Sequence, residues 1–234
     1  MKIGIIGAMA QEIKILRTAL TNETAWEQAG AHFYAGTIGN QEVIVVESGI
    51  GKVLASITTS LLIQKYQVDV VINTGSAGGI GQGLAVGDIV LSSQLAYHDV
   101  DVTGFGYDYG QLPAGMPLYY EADTQLLADF RQAAAQAGLA VKEGLIVTGD
   151  AFIDSSAKIA EILTHFPDAL ACEMEGAAIA QTARQFGVPF IIIRAMSDTA
   201  DHQATQSFDE FIDEAGKRSA EMVLAYIASV NDAN

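Results

Sequence analysis

The sequence predicts an α/β fold: a single domain with a central mixed β-sheet and helices packed outside it. Two observations carry this expectation. Short Ile- and Val-rich runs alternate with longer stretches whose apolar residues recur at helical spacing. One early pair of runs is separated by Gly39-Asn40, a hairpin turn, so antiparallel pairing enters a sheet whose other strands are joined through helices. The chain has 234 residues, 50% of them hydrophobic, which suits one large core, and no repeat or linker divides it. Residues 1–234 are therefore read as one domain.

Each element has a local reason. Residues 2–7 form a buried strand, with Ile3, Ile5 and Ile6 ahead of Gly7. Residues 9–20 read as a helix with Ile13, Leu16 and Leu20 on one face. Residues 32–38 and 42–48 make the hairpin. After Gly49-Ile50-Gly51, residues 52–66 are helical, and 68–74 are an apolar strand ending in the glycine-rich loop 75–79. Residues 88–97 form another strand. The Gly-, Tyr- and Asp-rich connection 97–120 is long enough to suggest a functional or interface element. A helix over 122–138 stops at Gly138, a strand covers 144–148 and a short helix 155–164. Residues 170–174 are extended, 176–186 helical, 189–195 a buried strand and 208–230 a long amphipathic helix.

Composition excludes several functions. A formal net charge of −16, spread along the chain, argues against a nucleic-acid partner and accounts for solubility. Cys172 is the only cysteine, which rules out an internal disulfide and a Cys-rich zinc site and suits a reducing compartment. No run approaches the roughly 18 apolar residues of a membrane span. The N-terminal run breaks at Gly4 and Gly7, unlike a secretory signal. A cytoplasmic location is expected. His32, His98, His165 and His202 lack metal-ligand spacing and read as surface or core residues, so no metal and no cofactor is expected.

Three tempting motifs fail. Around Gly49-Ile50-Gly51-Lys52, a phosphate-binding P-loop would need glycine where Val46 stands and Ser or Thr at Val53. A dinucleotide fingerprint would need glycine at Leu54. Thr74-Gly75-Ser76-Ala77-Gly78 lacks the first glycine of a nucleophile elbow.

What remains is a set of acids at the carboxyl ends of strands, where ligands of open α/β sheets bind. Glu12 stands in a helix first turn, Glu173 and Glu175 precede an apolar helix, and Asp198 follows an apolar strand. Taken singly, they read as a helix-dipole carboxylate, helix caps and an Asx turn. Together, with only Lys52 and Arg194 as basic neighbours, they read as a site.

The motifs MKIGIIGAM with Glu12, SGIGKV, INTGSAGG, GDAFI, EMEGAAIA and RAMSD are part of a match that extends from Met1 to Phe208, with a matching helix beyond. Their combination resembles the 5′-methylthioadenosine/S-adenosylhomocysteine nucleosidases of the nucleoside phosphorylase-like superfamily. The resemblance implies a three-layer α/β/α domain whose twisted sheet is partly barrel-like. It implies hydrolysis of the N-glycosidic bond of 5′-methylthioadenosine and S-adenosylhomocysteine, and of 5′-deoxyadenosine, in methionine salvage and disposal of methyl-cycle by-products.

It also implies roles for individual residues. Asp198 donates a proton to adenine N7, while Glu12 orients and deprotonates the attacking water. Glu175 holds the ribose 2′- and 3′-hydroxyls, assisted by the Met174 backbone. Phe152 stacks on adenine and the Ile153 backbone reads its edge. Ser76 and Arg194 position water and carboxylates, and Met9, Ile50 and Phe208 line the 5′-thioalkyl pocket. Gly78 and Ser197 count among the substrate contacts, as does Glu173, which reads equally as a helix-cap neighbour. Phe105 of the partner subunit completes the site, because the family works as a homodimer.

The chemistry is coherent with that assignment. Asp198 should be protonated near neutral pH through burial and neighbouring acids, with Glu12 and Glu175 ionised. A carboxylate at Glu12 would repel phosphate and suits water, which separates a hydrolase from the rival purine nucleoside phosphorylase. A non-catalytic nucleoside-binding protein would be expected to have lost one of the acids. A 5′-nucleotide or futalosine-type substrate fits the apolar pocket residues poorly.

Overall fold

The computed structural model describes residues 1–198 and 204–232. Among them are ten strands and six α-helices. The chain opens with β1 (Lys2–Gly7), α1 (Ala10–Ala19), β2 (Thr21–Gln28), β3 (Ala31–Ile38), β4 (Gln41–Glu47) and α2 (Lys52–Gln64). Then come β5 (Val70–Gly79), β6 (Ile89–Tyr97), the short β7 (Tyr120–Glu121), α3 (Thr124–Ala137) and β8 (Val141–Thr148). It ends with α4 (Ser156–His165), β9 (Ala169–Glu173), α5 (Gly176–Phe186), β10 (Phe190–Asp198) and α6 (Ala204–Asp232).

The strands form one mixed sheet in the order β10-β6-β8-β9-β5-β1-β4-β3-β2. Because β10 also pairs with β5, the five strands β5, β10, β6, β8 and β9 close into a ring. The barrel-like part of the expected fold is therefore present, and β1, β4, β3 and β2 extend from it as an open flank. Parallel pairs (β1 with β4 and β5, β5 with β10, β6 with β8) meet antiparallel ones (β5 with β9, β10 with β6) inside the same sheet.

Alternation along the buried strands makes the layers. Ile3, Ile5, Ile191 and Ile193 face α1, α3 and α6, where Leu16, Phe130, Val223 and Tyr226 cover them. The intervening Ile6 and Ile192 face the opposite way, toward Leu62 of α2 and Ile179 of α5. Strands covered on both faces read as continuous apolar runs, as these do. Ends are set locally: the Asp123 carboxylate accepts from the Gln125 and Leu126 amides at the start of α3, and Gly138 ends that helix at φ +68°.

Four expectations needed correction. β2 was not anticipated: all its residues but Trp26 and Gln28 are exposed, so no apolar pattern marks it. Its register is held by Trp26, which stacks on Phe33 at 5.5 Å and donates to Tyr66 Oη at 2.7 Å. The glycine-rich segment 75–79 is strand, not loop, because β5 runs through it to Gly79 between β10 and β9. Likewise β10 continues past Ala195 to Asp198, which pairs with Gly78 beyond a bulge. The two-residue β7, pairing with β6, is too short for a sequence pattern.

Candidate active site

The carboxyl ends of β1, β5, β9 and β10 converge, and the acids stand there. Glu12 lies in the first turn of α1 and is buried. One of its oxygens accepts from the Ala8 and Met9 amides at 2.8 and 3.1 Å. The other accepts from the Ser76 amide and hydroxyl at 2.8 and 3.0 Å. The helix-start role and the site role therefore belong to the same carboxylate. Gly75 makes this possible: a Cβ there would stand 2.5 Å from Glu12 Oε1 and 2.7 Å from Arg194 Nη1.

Arg194 lies on β10, not in a loop, and is fully buried. Its guanidinium donates to the Ser76 carbonyl at 3.0 Å, to Asn73 Oδ1 at 2.7 Å, to Glu175 Oε2 at 3.2 Å and, closely, to Glu173 Oε2. Glu12 Oε1 is 4.0 Å away. Burial opposes its charge, but the carboxylates of Glu173, Glu175 and Glu12 hold its pKa above the ordinary value. Planar, multidentate donation of this kind is what arginine supplies.

Glu173 ends β9 and organises its neighbours. Besides Arg194 it accepts from the Thr148 hydroxyl and from the Glu175 and Gly176 amides at 3.0 and 2.7 Å. Thr148 in turn accepts from the Ala177 amide at 2.8 Å. Glu173 thus caps α5, the helix-cap reading of this residue, and also pins Arg194.

Glu175 accepts from the Gly51 amide at 2.8 Å as well as from Arg194. Burial pushes its pKa up to about 7; Arg194 and the Gly51 amide pull it down, while Glu173 and Glu12 raise it further. This upward direction runs against the expectation that Glu175 is fully ionised. Asp198, also buried, accepts from Ser197 Oγ at 2.9 Å.

These groups surround a cavity of about 370 Å³, within the size range of small-molecule sites. Its lining brings Glu12, Ser76, Glu173, Glu175, Arg194 and Asp198 together with Gly78, Met174, Ser197 and the apolar Met9, Ile50, Phe152 and Phe208. Phe152 and Phe208 meet edge to face at 5.8 Å. Ile153 is buried beside an adjoining recess shared with Phe152, Cys172 and Asp198. Phe105 does not reach the cavity of its own chain and is 84% exposed.

Among the histidines, His98 is buried, His32 and His165 are exposed, and none of these lines the cavity; His202 lies outside the described residues. Lys52, grouped with the site by sequence, turns its ammonium to Asp99 at 2.6 Å. Sequence reading missed Cys172 as a lining residue and Asn73 and Thr148 as the inner partners of Arg194 and Glu173. Asn73 carried a signal, being a polar residue inside the apolar run of β5. Burial, with Asp198 and Glu173 nearby, drives the Cys172 thiol far above its usual pKa, which leaves no thiolate nucleophile here.

Residues 2–228 match the family model described as the phosphorylase superfamily. A 5′-methylthioadenosine/S-adenosylhomocysteine nucleosidase from Exiguobacterium sp. is 54% identical over 96% of this chain and 97% of its own. The chain belongs to the 5′-methylthioadenosine/S-adenosylhomocysteine nucleosidase family. Solved nucleosidases superpose closely. The Neisseria meningitidis enzyme, in complex with methylthio-immucillin-A, gives a TM-score of 0.95 at 47% identity, covering 97% of this chain and 99% of that one. The Streptococcus pyogenes enzyme, in complex with 5-methylthiotubericidin, gives 0.94 at 48%, covering 97% and 96%. Membership of this nucleosidase family agrees with the fold class and with a hydrolase. Among the described residues, no helix is long and apolar enough to cross a membrane.

Proposed function

We propose that this nucleosidase hydrolyses the N-glycosidic bond of 5′-methylthioadenosine and S-adenosylhomocysteine, and of 5′-deoxyadenosine at the same site, releasing adenine and the 5′-substituted ribose. The observation that carries hydrolysis is the state of Arg194. It is the only basic side chain lining the cavity among the described residues, and Glu173, Glu175, Asn73 and Ser76 already engage both of its terminal nitrogens, its buried Nε alone being without a partner. No cation is left to bind a phosphate dianion, and the Glu12 carboxylate would repel one.

Bond cleavage moves electrons into the purine and leaves positive charge on the ribose. Asp198, at the end of β10, donates a proton to adenine N7, and Glu12 takes one from water; each such group typically contributes roughly 10²–10⁴ in rate. Of the four donors on Glu12, the Ser76 hydroxyl is the one free to rotate away, so a water can replace it at Oε1. Glu175 accepts from the ribose 2′- and 3′-hydroxyls beside the Met174 backbone. A cationic ribose beside it favours its ionised form, so the carboxylate is most stabilising when the transition state forms. Glu173 and Arg194 fix the carboxylates in place, while Gly78 and Ser197 shape the wall. Phe152 stacks on adenine and the Ile153 backbone reads its edge. Met9, Ile50 and Phe208 receive the 5′-thioalkyl arm through area and polarisable contact, with no need for charge.

The working form is a cytoplasmic homodimer in which Phe105 of the partner subunit closes the 5′ pocket. This accounts for the exposure of Phe105 and of Val53 and Ile57 on one side of α2. The deciding experiment measures adenine release from methylthioadenosine in the presence and absence of phosphate. Equal rates with free methylthioribose as product are expected. Phosphate-dependent formation of a ribose 1-phosphate overturns the hydrolase reading.

A further inference from the structure

The first turn of α2 is held from outside its own segment. Its N-cap is Gly51, at φ +99°, which offers no side-chain cap, and no acidic residue stands in the first turn. Helix starts leave backbone N–H groups in need of acceptors. Here two consecutive amides find carboxylates on different strand ends. Gly51 N–H donates to Glu175 at 2.8 Å, and Lys52 N–H donates to Asp150 Oδ1 at 2.9 Å, across 98 positions of sequence. Asp150 is itself braced: its own amide donates to Asp99 Oδ2 at 2.9 Å, and the same oxygen accepts from the Lys52 ammonium at 2.6 Å. A Cβ on Gly51 would come within 3.2 Å of Asp150 Oδ1, so the turn is seated directly against that carboxylate.

We propose that Asp150, braced by Asp99, is a positioning residue for the ribose side of the site, holding the first turn of α2 so that the Gly51 amide reaches Glu175. The inference rests on the reading that Glu175 binds the ribose hydroxyls. The exposed ammonium–carboxylate contacts of Lys52 carry little of the effect, because partly solvated ion pairs are weak. The directional part lies in the amide-to-carboxylate bonds, which are charge-assisted and stand at a helix N-terminus. Without them, Gly51 could swing from Glu175, and Ile50 beside it would lose its place at the 5′ pocket.

The bonding pattern separates the two halves of the substrate. The Asp150 side chain holds only the turn of α2, whereas Asp99, by accepting from the Asp150 amide, holds both Asp150 itself and the backbone leading to Phe152. Asp150→Ala should therefore lower kcat/KM for methylthioadenosine about tenfold, the usual scale for one charged hydrogen bond, and leave the affinity for free adenine within about twofold. Asp150→Asn keeps an oxygen for the Lys52 amide and should restore most of the rate. Asp99→Ala should weaken both methylthioadenosine turnover and adenine binding. A wild-type kcat/KM in Asp150→Ala overturns the proposal. So does an equal loss of adenine affinity, or an Asp150→Asn variant as impaired as the alanine. Glu175→Gln assayed in parallel distinguishes the two layers of argument. If it retains wild-type kcat/KM, the ribose reading itself falls; if it is crippled beside an intact Asp150→Ala, only the positioning role falls.

Discussion

At the residue scale, the site is a cluster of carboxyls around one guanidinium, and its charge balance has measurable consequences. The folded-state pKa of Glu175 is raised from 4.5 to about 7, mainly by burial. Between those values the native state binds more protons than the unfolded chain, so stability falls as pH rises from about 4.5 to about 7. The loss is on the order of 3 kcal/mol at about 1.4 kcal/mol per unit. In Glu175→Gln this part of the slope should vanish; thermal unfolding of both ligand-free proteins at pH 5 and pH 8 checks it. The variant also keeps an oxygen for the Gly51 amide, so a fall in its stability at pH 8 would contradict the burial argument. Glu12→Gln and Asp198→Asn should each lower kcat by at least about 100-fold while binding of a non-hydrolysable nucleoside survives, as calorimetry can show. These acids were legible because a charged side chain at the end of an apolar strand breaks the local pattern. The partners that hold them were less so. Thr148 is an unremarkable residue type whose importance arises only where β8 meets β9, and Asn73, although polar within the apolar run of β5, finds its partner only when β10 pairs beside that strand.

At the element scale, β5 shows why glycine-rich sequence was misread. A Gly-Ser-Ala-Gly-Gly run looks like a loop because glycine is conformationally permissive. Here its value is the missing side chain: Gly75 leaves room for Glu12 and Arg194 to approach the strand. Gly75→Ala should cost about 1–3 kcal/mol of stability by overpacking and lower kcat/KM more than tenfold. Gly79→Ala, whose Cβ would meet only Met196 and Leu84 at 3.3 Å or more, should be far milder; melting curves and initial rates for the pair test the contrast. Buried strands such as β1 and β10 were readable because both faces demand apolar residues. β2 was not, since its pairing comes from the backbone of β3 and its side chains face solvent.

At the scale of the whole molecule, layer order and helix placement were anticipated, and the barrel-like closure was implied by family resemblance. Closure itself leaves no local sequence mark, because the pairing of β10 with β5 joins segments more than a hundred residues apart. Assembly is the remaining question at this scale. Val53 is 69% exposed on the same helix that carries the Gly51 turn. Replacing Val53 and Ile57 together by Glu should convert a dimer into a monomer in gel filtration. On the proposed shared site, it should raise KM for methylthioadenosine, because Phe105 of the partner subunit would no longer close the pocket. A monomeric protein with full wild-type activity would remove the shared-site reading.

The closed ring also bears on how the molecule loses its activity. β5 and β10 carry Ser76, Arg194 and Asp198, and neither strand has a free edge along which to peel. Their amide protons belong with the slowest to exchange, opening only when the entire domain opens. The outer β2 can fray without disturbing them. Heating should thus leave turnover intact until the cooperative transition and then abolish it at once, with no inactive but otherwise folded species on the way.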